Sequence, residues 1–179
     1  MIILVGASAS GKTEVAKLLF RKYGIKKVIT HTTRPMREGE RLDVDYHFVT
    51  VDEFTRLKEH NAFVETTFYN GNHYGTSRKE IGDDKALIVD PNGLKSFLAL
   101  HDAHIVTFFM QASETTRLNR MIYRGDRLED AKKRIENDRI DFQEDRVGAT
   151  DYLIDTESIN IEQVADLVYQ KYLRKLQSL

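Results

Sequence analysis

The chain has 179 residues, a net charge of −1 and 41% hydrophobic residues, a composition typical of one globular domain with its own core. Acidic and basic residues nearly cancel, so bulk charge does not indicate a nucleic acid or another polyanion as partner. There is no cysteine, which excludes disulfides, zinc–thiolate sites and cysteine nucleophiles. The apolar run at residues 1–5 is too short for a signal peptide or a membrane span. We therefore expect a cytoplasmic protein with neither a nucleic-acid nor a membrane partner.

Short apolar runs alternate with longer helical patterns along most of the chain, which predicts an α/β fold with a five-stranded parallel sheet. The predicted core strands are Ile2–Val5, Lys27–Thr30, Ala86–Asp90, His104–Met110 and Tyr152–Ile154. The predicted helices are Lys12–Tyr23, Gly93–Leu100, Ser113–Tyr123, Leu128–Asp145 and Ile161–Leu176.

Local, antiparallel signals replace this alternation between about residues 31 and 80. Tyr46–Val49 is a predicted strand, and the capping-box pattern from Thr50 to Glu53 opens a short helix. Phe63–Tyr69 alternates and runs into Asn70-Gly71, a strong hairpin signal. We therefore expect a small β-rich insertion, with the core formed by residues 1–30 and 81–179.

The run Gly6-Ala7-Ser8-Ala9-Ser10-Gly11-Lys12-Thr13 matches G-x-x-x-x-G-K-[ST] between a predicted strand and a predicted helix. In such a loop, backbone N–H groups and the helix N-terminus hold the phosphates of a nucleoside triphosphate. The lysine bridges the β- and γ-phosphates, and the Thr13 hydroxyl binds Mg²⁺ directly. A glycine-rich turn with a coincidental lysine is the alternative, and the flanking strand and helix argue against it.

Asp90 ends a predicted buried strand and precedes Pro91. A carboxylate at this end of a parallel strand faces the ligand crevice, where it can hold a magnesium-bound water. It can equally well cap the helix that follows. The sequence leaves both interpretations open.

A second phosphate site is indicated by Arg34 and Arg37, two planar guanidinium groups separated by the stiff Pro35. Taken alone, a solvated basic loop is the favoured interpretation of these two residues. Three further motifs follow in order, namely Val44-Asp45-Tyr46-His47-Phe48, Phe63-Val64-Glu65 and Tyr74-Gly75-Thr76. Together with the phosphate loop and the run from Thr30 to Arg37, they resemble the guanylate kinase family from Ile3 into the last helix.

This resemblance implies a three-layer P-loop NTPase fold with a GMP-binding subdomain and a lid, which transfers the γ-phosphate of ATP to GMP and also to dGMP. Mg²⁺ would accompany ATP. The guanidinium groups of Arg34 and Arg37 and the hydroxyls of Tyr46 and Tyr74 would hold the GMP phosphate. Glu65 would accept two hydrogen bonds from guanine. The implied GMP-binding residues are Thr30, Arg34, Arg37, Tyr46, Glu65, Tyr74, Thr76 and Asp90. The tyrosines and Glu65 also have a plain interpretation as ordinary strand residues.

The polar stretch Arg124–Asp130 is a predicted lid, reaching to about residue 138. The resemblance implies that Arg120, Arg124 and Arg134 contact the ATP phosphates when the lid closes, with Arg120 and Arg124 completing the ATP site formed by residues 6–13. The implied catalytic set is Lys12, Arg34, Arg37, Arg124 and Arg134. Surface ion pairs with Glu114, Glu129 or Asp138 are the alternative, and Arg127 and Arg139 are expected on the surface.

The phosphate loop departs from the family pattern, which usually reads Gly-Pro-Ser-Gly. Ala9 replaces a glycine, so we expect this residue to avoid a positive φ angle. Glu14 adds a carboxylate near the triphosphate. The asparagine that the family commonly has close to the adenine is missing at Asp155-Thr156, which leaves the base of the phosphate donor open. Two other functions remain as alternatives. One is phosphoryl transfer by a related kinase to another phosphorylated acceptor, and the other is peptide binding by a non-catalytic module.

Overall fold

The computed structural model describes residues 1–143 and 147–179. In this part of the chain the strands are β1 (Ile2–Val5), β2 (Lys26–Lys27), β3 (His31–Thr32), β4 (His47–Phe48), β5 (Phe63–Tyr69), β6 (Asn72–Ser77), β7 (Lys85–Val89), β8 (Val106–Gln111) and β9 (Tyr152–Asp155). The α-helices are α1 (Lys12–Tyr23), α2 (Val51–Glu59), α3 (Pro91–Leu98), α4 (Glu114–Tyr123), α5 (Leu128–Asp141) and α6 (Ile161–Gln177).

The central sheet has five strands in the order β2-β7-β1-β8-β9, and each neighbouring pair is parallel. β1 lies in the middle, and all four of its side chains are fully buried. Ile2 and Leu4 pack into a cluster with α1 and α6, whereas Ile3 and Val5 pack on the other face with residues of α3. A strand covered on both faces is continuously apolar rather than alternating. The predicted three-layer α/β fold is confirmed.

Several predicted boundaries were wrong. β2 ends at Lys27, although Val28 still donates a backbone hydrogen bond to Ala86. α3 begins at Pro91 rather than Gly93, because proline suits the first position of a helix. β8 begins at Val106 rather than His104. α5 ends at Asp141, and the predicted continuation to Asp145 runs into residues 144–146, which lie outside the described residues.

The segment between β2 and β7 forms a second sheet in the order β4-β3-β6-β5. β5 and β6 make the antiparallel hairpin, with positive φ angles of 48° at Asn70 and 77° at Gly71, as tight hairpin turns require. Both hydrogen bonds of the capping box between Thr50 and Glu53 are present at the start of α2. This sheet is the β-rich insertion that the sequence predicts, although β4 is only two residues long.

Candidate active site

The phosphate loop connects the carboxyl end of the central strand β1 to the N-terminus of α1. Gly11, the N-cap residue of α1, has a φ angle of 94°, and none of the side chains that the structure describes caps the helix. The first N–H groups of α1 therefore remain open to an anion. The Lys12 ammonium donates to the carbonyl oxygens of Gly6 and Ala7 at 2.5 and 2.8 Å. Burial lowers the pKa of Lys12 to about 8, against the opposing effect of the Asp138 carboxylate.

The expectation that Ala9 avoids a positive φ angle was wrong. Its φ angle is 58°, in the left-handed region that costs an L-residue about 1–2 kcal/mol. Two tertiary contacts hold it there. Arg120 donates to the Ala9 carbonyl oxygen at 3.2 Å, and the Ala9 methyl packs against the cluster that contains Met121 and Ile135. Packing by α4 and α5 therefore overrides the local preference of alanine.

Two buried side chains, Arg117 and Asp138, lie behind the loop, and the sequence predicted neither as part of the site. Asp138 of α5 accepts hydrogen bonds from the Ser8 N–H at 3.0 Å and from the Ser8 hydroxyl at 3.1 Å. Arg117 of α4 donates to Asp138 at 2.7 Å and to the Ser8 carbonyl oxygen at 3.3 Å. Arg117 and Asp138 are only 5% and 8% exposed. The sequence predicted Asp138 only as a possible surface partner, because the two residues lie on different helices and no local pattern joins them to Ser8.

A cleft of about 240 Å³ lies between the β5–β6 hairpin and the junction of β7 with α3. Four of the predicted GMP-binding residues line it: Thr30, Glu65, Thr76 and Asp90. The Thr76 hydroxyl donates to Glu65 Oε1 at 2.6 Å, which fixes the orientation of the carboxylate. Burial raises the pKa of Glu65, and this hydrogen bond only partly offsets the effect.

Asp90 is the N-cap residue of α3, and its Oδ1 accepts a 2.7 Å hydrogen bond from the Gly93 N–H. The helix-cap interpretation is therefore realised. This cap is compatible with the other interpretation, a magnesium-bound water, because Oδ2 accepts no hydrogen bond from any described residue. Val89 is the register partner of Val5 across β7 and β1. Asp90, the residue after Val89, therefore leaves the sheet beside Gly6, the first residue of the phosphate loop.

Arg34, Tyr46 and Tyr74 come together on one side of the insertion. The Arg34 guanidinium lies 5.4 Å from the centre of the Tyr46 ring, and the Tyr46 and Tyr74 rings are 6.2 Å apart. Glu40, which the sequence did not indicate, accepts from Arg34 at 2.6 Å and from the Arg37 backbone N–H at 2.7 Å. These bonds lower the pKa of Glu40. The Arg37 side chain is exposed and does not join the group.

The lid arginines form ion pairs in this structure, with a different partner from those expected. Arg124 donates to both carboxylate oxygens of Asp126, at 3.0 and 2.6 Å, and Arg134 reaches Asp126 at 3.3 Å. Both side chains are about half exposed. Arg120 instead binds the loop at Ala9 and the hydroxyl of Thr156 at 3.1 Å.

Comparison with known families decides which class of P-loop protein this site belongs to. A family model described as guanylate kinase matches residues 1–171. The chain belongs to the guanylate kinase family. The predicted family, and with it the activity of phosphorylating GMP with ATP, is confirmed.

Individual relatives agree with this membership of the guanylate kinase family. A guanylate kinase of Anaplasma phagocytophilum is 33% identical over 178 residues, covering 94% of this chain and 83% of that protein. One from Bartonella henselae is 30% identical, covering 97% and 80%. The crystal structure of guanylate kinase from Anaplasma phagocytophilum superposes with a TM-score of 0.61 at 27% identity, covering 99% and 86% of the two chains. A gluconokinase from Sinorhizobium meliloti 1021, with a TM-score of 0.55 and 14% identity, shares the fold only.

The oxygen donors at the loop fit Mg²⁺. Thr13 lies in the first turn of α1 with an exposed side chain. Its hydroxyl makes no hydrogen bond to any described residue. Mg²⁺ prefers a few protein oxygens together with phosphate and water. Within residues 1–143 and 147–179, no group of three or more histidine or acidic side chains could hold a metal ion.

None of the described helices is long and apolar enough to cross a membrane.

Proposed function

We propose that this chain transfers the γ-phosphate of ATP to GMP or dGMP, forming ADP and the corresponding diphosphate, and that it acts in the cytoplasm. One observation carries the proposal. The register of β1 and β7 sets the phosphate loop beside Asp90, and Asp90 lines the same cleft as Glu65 and Thr76. A donor site and an acceptor site therefore meet at the carboxyl edge of one sheet, where α/β proteins bind their ligands.

Glu65 selects guanine in this proposal. Its carboxylate accepts hydrogen bonds from guanine N1–H and the exocyclic amine, a pair of donors that adenine lacks on that edge. The bond from the buried Thr76 hydroxyl orients Glu65 before the base arrives, and Thr30 and Thr76 face the side of guanine O6. A site of this kind rejects a base that leaves its polar groups unpaired by roughly 10⁴-fold in favourable cases.

Arg34, Tyr46 and Tyr74 hold the phosphate of the acceptor, and Arg37 joins them when GMP binds. The first three already lie together, so their arrangement costs little further ordering. The salt bridge of Arg34 to Glu40 fixes one edge of the guanidinium group. Because the attacking oxygen belongs to a phosphate whose second pKa is about 6, no general base is needed.

Residues 6–13 bind the ATP phosphates through backbone N–H groups, and Lys12 exchanges its two carbonyl partners for phosphate oxygens. Thr13, with Asp90 through a water molecule, would hold the Mg²⁺ that neutralises phosphate charge. Arg124 and Arg134 are exposed and paired with a single carboxylate, so they are available to approach the transferred group. There they stabilise charge that develops on the γ-phosphoryl oxygens.

A panel of acceptors tests this proposal. Purified protein with Mg-ATP is offered GMP, dGMP, IMP, AMP and ribose bisphosphate in turn, and ADP formation is measured. We expect turnover with GMP and dGMP, weak turnover with IMP and none with AMP or ribose bisphosphate. Glu65→Gln should raise the KM for GMP by about tenfold or more while leaving the KM for ATP within about twofold. ADP formation with ribose bisphosphate but not with GMP would contradict the proposal.

A further inference from the structure

The buried pair of Arg117 and Asp138 surrounds a single residue of the phosphate loop. All three polar groups of Ser8 are bound: its N–H and its hydroxyl by Asp138, and its carbonyl oxygen by Arg117. The two side chains also bind each other at 2.7 Å. A buried ion pair is retained at a favourable energy only where further hydrogen bonds satisfy both partners. Here those further bonds go to the loop rather than to the helices.

The loop needs such support because its conformation is not locally favourable. Ala9, the residue after Ser8, has a positive φ angle of 58°, and strained residues of this kind persist only where the surroundings fix them. Arg120 holds the Ala9 carbonyl oxygen from the other side. Ser8 and Ala9 are therefore held by side chains of α4 and α5, and not by their own sequence preference.

The same pair connects the loop to the lid. Arg117 lies on α4 and Asp138 on α5, and the lid residues 124–127 join these two helices. One further contact ties α4 to α5 without touching the loop, since Arg139 donates to both carboxylate oxygens of Glu114 at 2.7 and 2.6 Å. Arg139 is 62% exposed. The Glu114–Arg139 pair thus joins the same two helices as Arg117–Asp138 but makes no contact with the loop, so it serves as a control.

We propose that Arg117 and Asp138 are positioning residues of the donor site, which hold Ser8, and through it the adjoining Ala9, in the form that binds ATP and keep the lid helices in register with the loop. This inference rests on the proposed function for the identity of its ligand. It adds a specific consequence: disturbing the pair weakens the binding of ATP and leaves the binding of GMP unchanged, because the GMP-binding residues lie on other elements.

The test compares Asp138→Asn with the control Arg139→Gln. Dissociation constants for a non-hydrolysable ATP analogue with Mg²⁺ and for GMP are measured by calorimetry on the full chain, and the KM values for both substrates are measured by ADP formation. We expect Asp138→Asn to weaken binding of the ATP analogue by roughly tenfold or more, as for a displaced binding group. The affinity for GMP should stay within about twofold of the wild-type value. Arg139→Gln should leave both constants within about twofold.

A second pair of variants covers the case in which Asp138→Asn does not fold, since it leaves the Arg117 charge buried and unpaired. Arg117→Gln/Asp138→Asn removes both charges, and Ser8→Ala removes one hydrogen bond and no charge. Weaker binding of the ATP analogue alone in either folded variant supports the inference. Unchanged binding of the analogue, or an equal loss for GMP, overturns it. Wild-type protein that binds both ligands without forming ADP would instead refute the proposed function and leave the loop measurements interpretable.

Discussion

At the scale of single residues, Glu65 is a largely buried carboxylate to which the proposed function assigns one ligand group, the guanine base. It lies in a cleft beside Thr76, whose hydroxyl is completely buried. Burial raises the pKa of Glu65, and the nearby Asp90 charge acts in the same direction. The carboxylate is therefore less stable in this site than in water, and in the proposed function donors from guanine would relieve that cost.

This raised pKa predicts the dependence of GMP affinity on pH. Only the ionised carboxylate accepts both guanine hydrogen bonds, so affinity is full above the pKa of Glu65 in the free protein and falls as pH decreases through it. Because that pKa is raised, the loss should begin at a higher pH than for an ordinary glutamate. The measurement is the dissociation constant of GMP between pH 4.5 and 8 (an interval chosen around the ordinary glutamate pKa of about 4.3).

The phosphate of GMP titrates in the same range, with a second pKa of about 6, so a control must separate the two groups. Glu65→Gln removes the titration of the carboxyl and retains that of the phosphate. The difference between the two pH profiles should isolate Glu65. Profiles that run parallel over the whole interval would show that Glu65 does not bind guanine as the anion.

At the scale of elements, Asp90 caps the start of α3 and, in the proposed function, also holds a magnesium-bound water. Its Oδ1 caps the helix by accepting from the Gly93 N–H. Asparagine caps helices about as well as aspartate, whereas loss of the cap to alanine costs about 1 kcal/mol. Asp90→Asn therefore separates a purely structural cap from a carboxylate that also holds a magnesium-bound water.

We expect Asp90→Asn to unfold within a few degrees of the parent and to require a higher Mg²⁺ concentration for half-maximal ADP formation. Asp90→Ala should lower the unfolding temperature as well, by roughly 2–4 °C for about 1 kcal/mol in a chain of this size. Thermal unfolding and a Mg²⁺ titration of the rate measure the two effects. An unchanged Mg²⁺ requirement in Asp90→Asn would leave helix capping as the role of this carboxylate.

The same elements show what the sequence could and could not predict. Glu65 and Thr76 are close in sequence and joined by a hairpin whose turn, Asn70-Gly71, is unmistakable, so their meeting across β5 and β6 was predictable. Ser8, Arg117 and Asp138 meet across as many as 130 residues, on elements that carry no shared pattern. The φ angle of Ala9 depends on equally distant residues, namely Arg120 and the cluster that contains Met121 and Ile135, which is why a local rule predicted it wrongly.

At the scale of the whole molecule, the proposed function requires the lid arginines to exchange one partner for another during the reaction. In this structure Asp126 forms ion pairs with both Arg124 and Arg134, which keeps the two cations close to each other. Exposed ion pairs of this kind are weak and screened by salt. In the proposed function the lid would therefore release its arginines to the triphosphate at little cost, with Asp126 as a competitor for them.

We expect Asp126→Asn to bind the ATP analogue more tightly than the parent, by at most about fivefold, because it removes a weak, exposed competitor. The difference should shrink as salt is raised from 50 to 500 mM, over which the screening length falls from about 14 to about 4 Å. Arg124→Gln, in contrast, should lower kcat far more than it changes GMP affinity, because the proposed function places its charge at the transferred phosphoryl group. Calorimetry at two salt concentrations and steady-state rates test both variants. Weaker binding of the analogue in Asp126→Asn would mean that Asp126 orients the two arginines toward the triphosphate rather than competing for them.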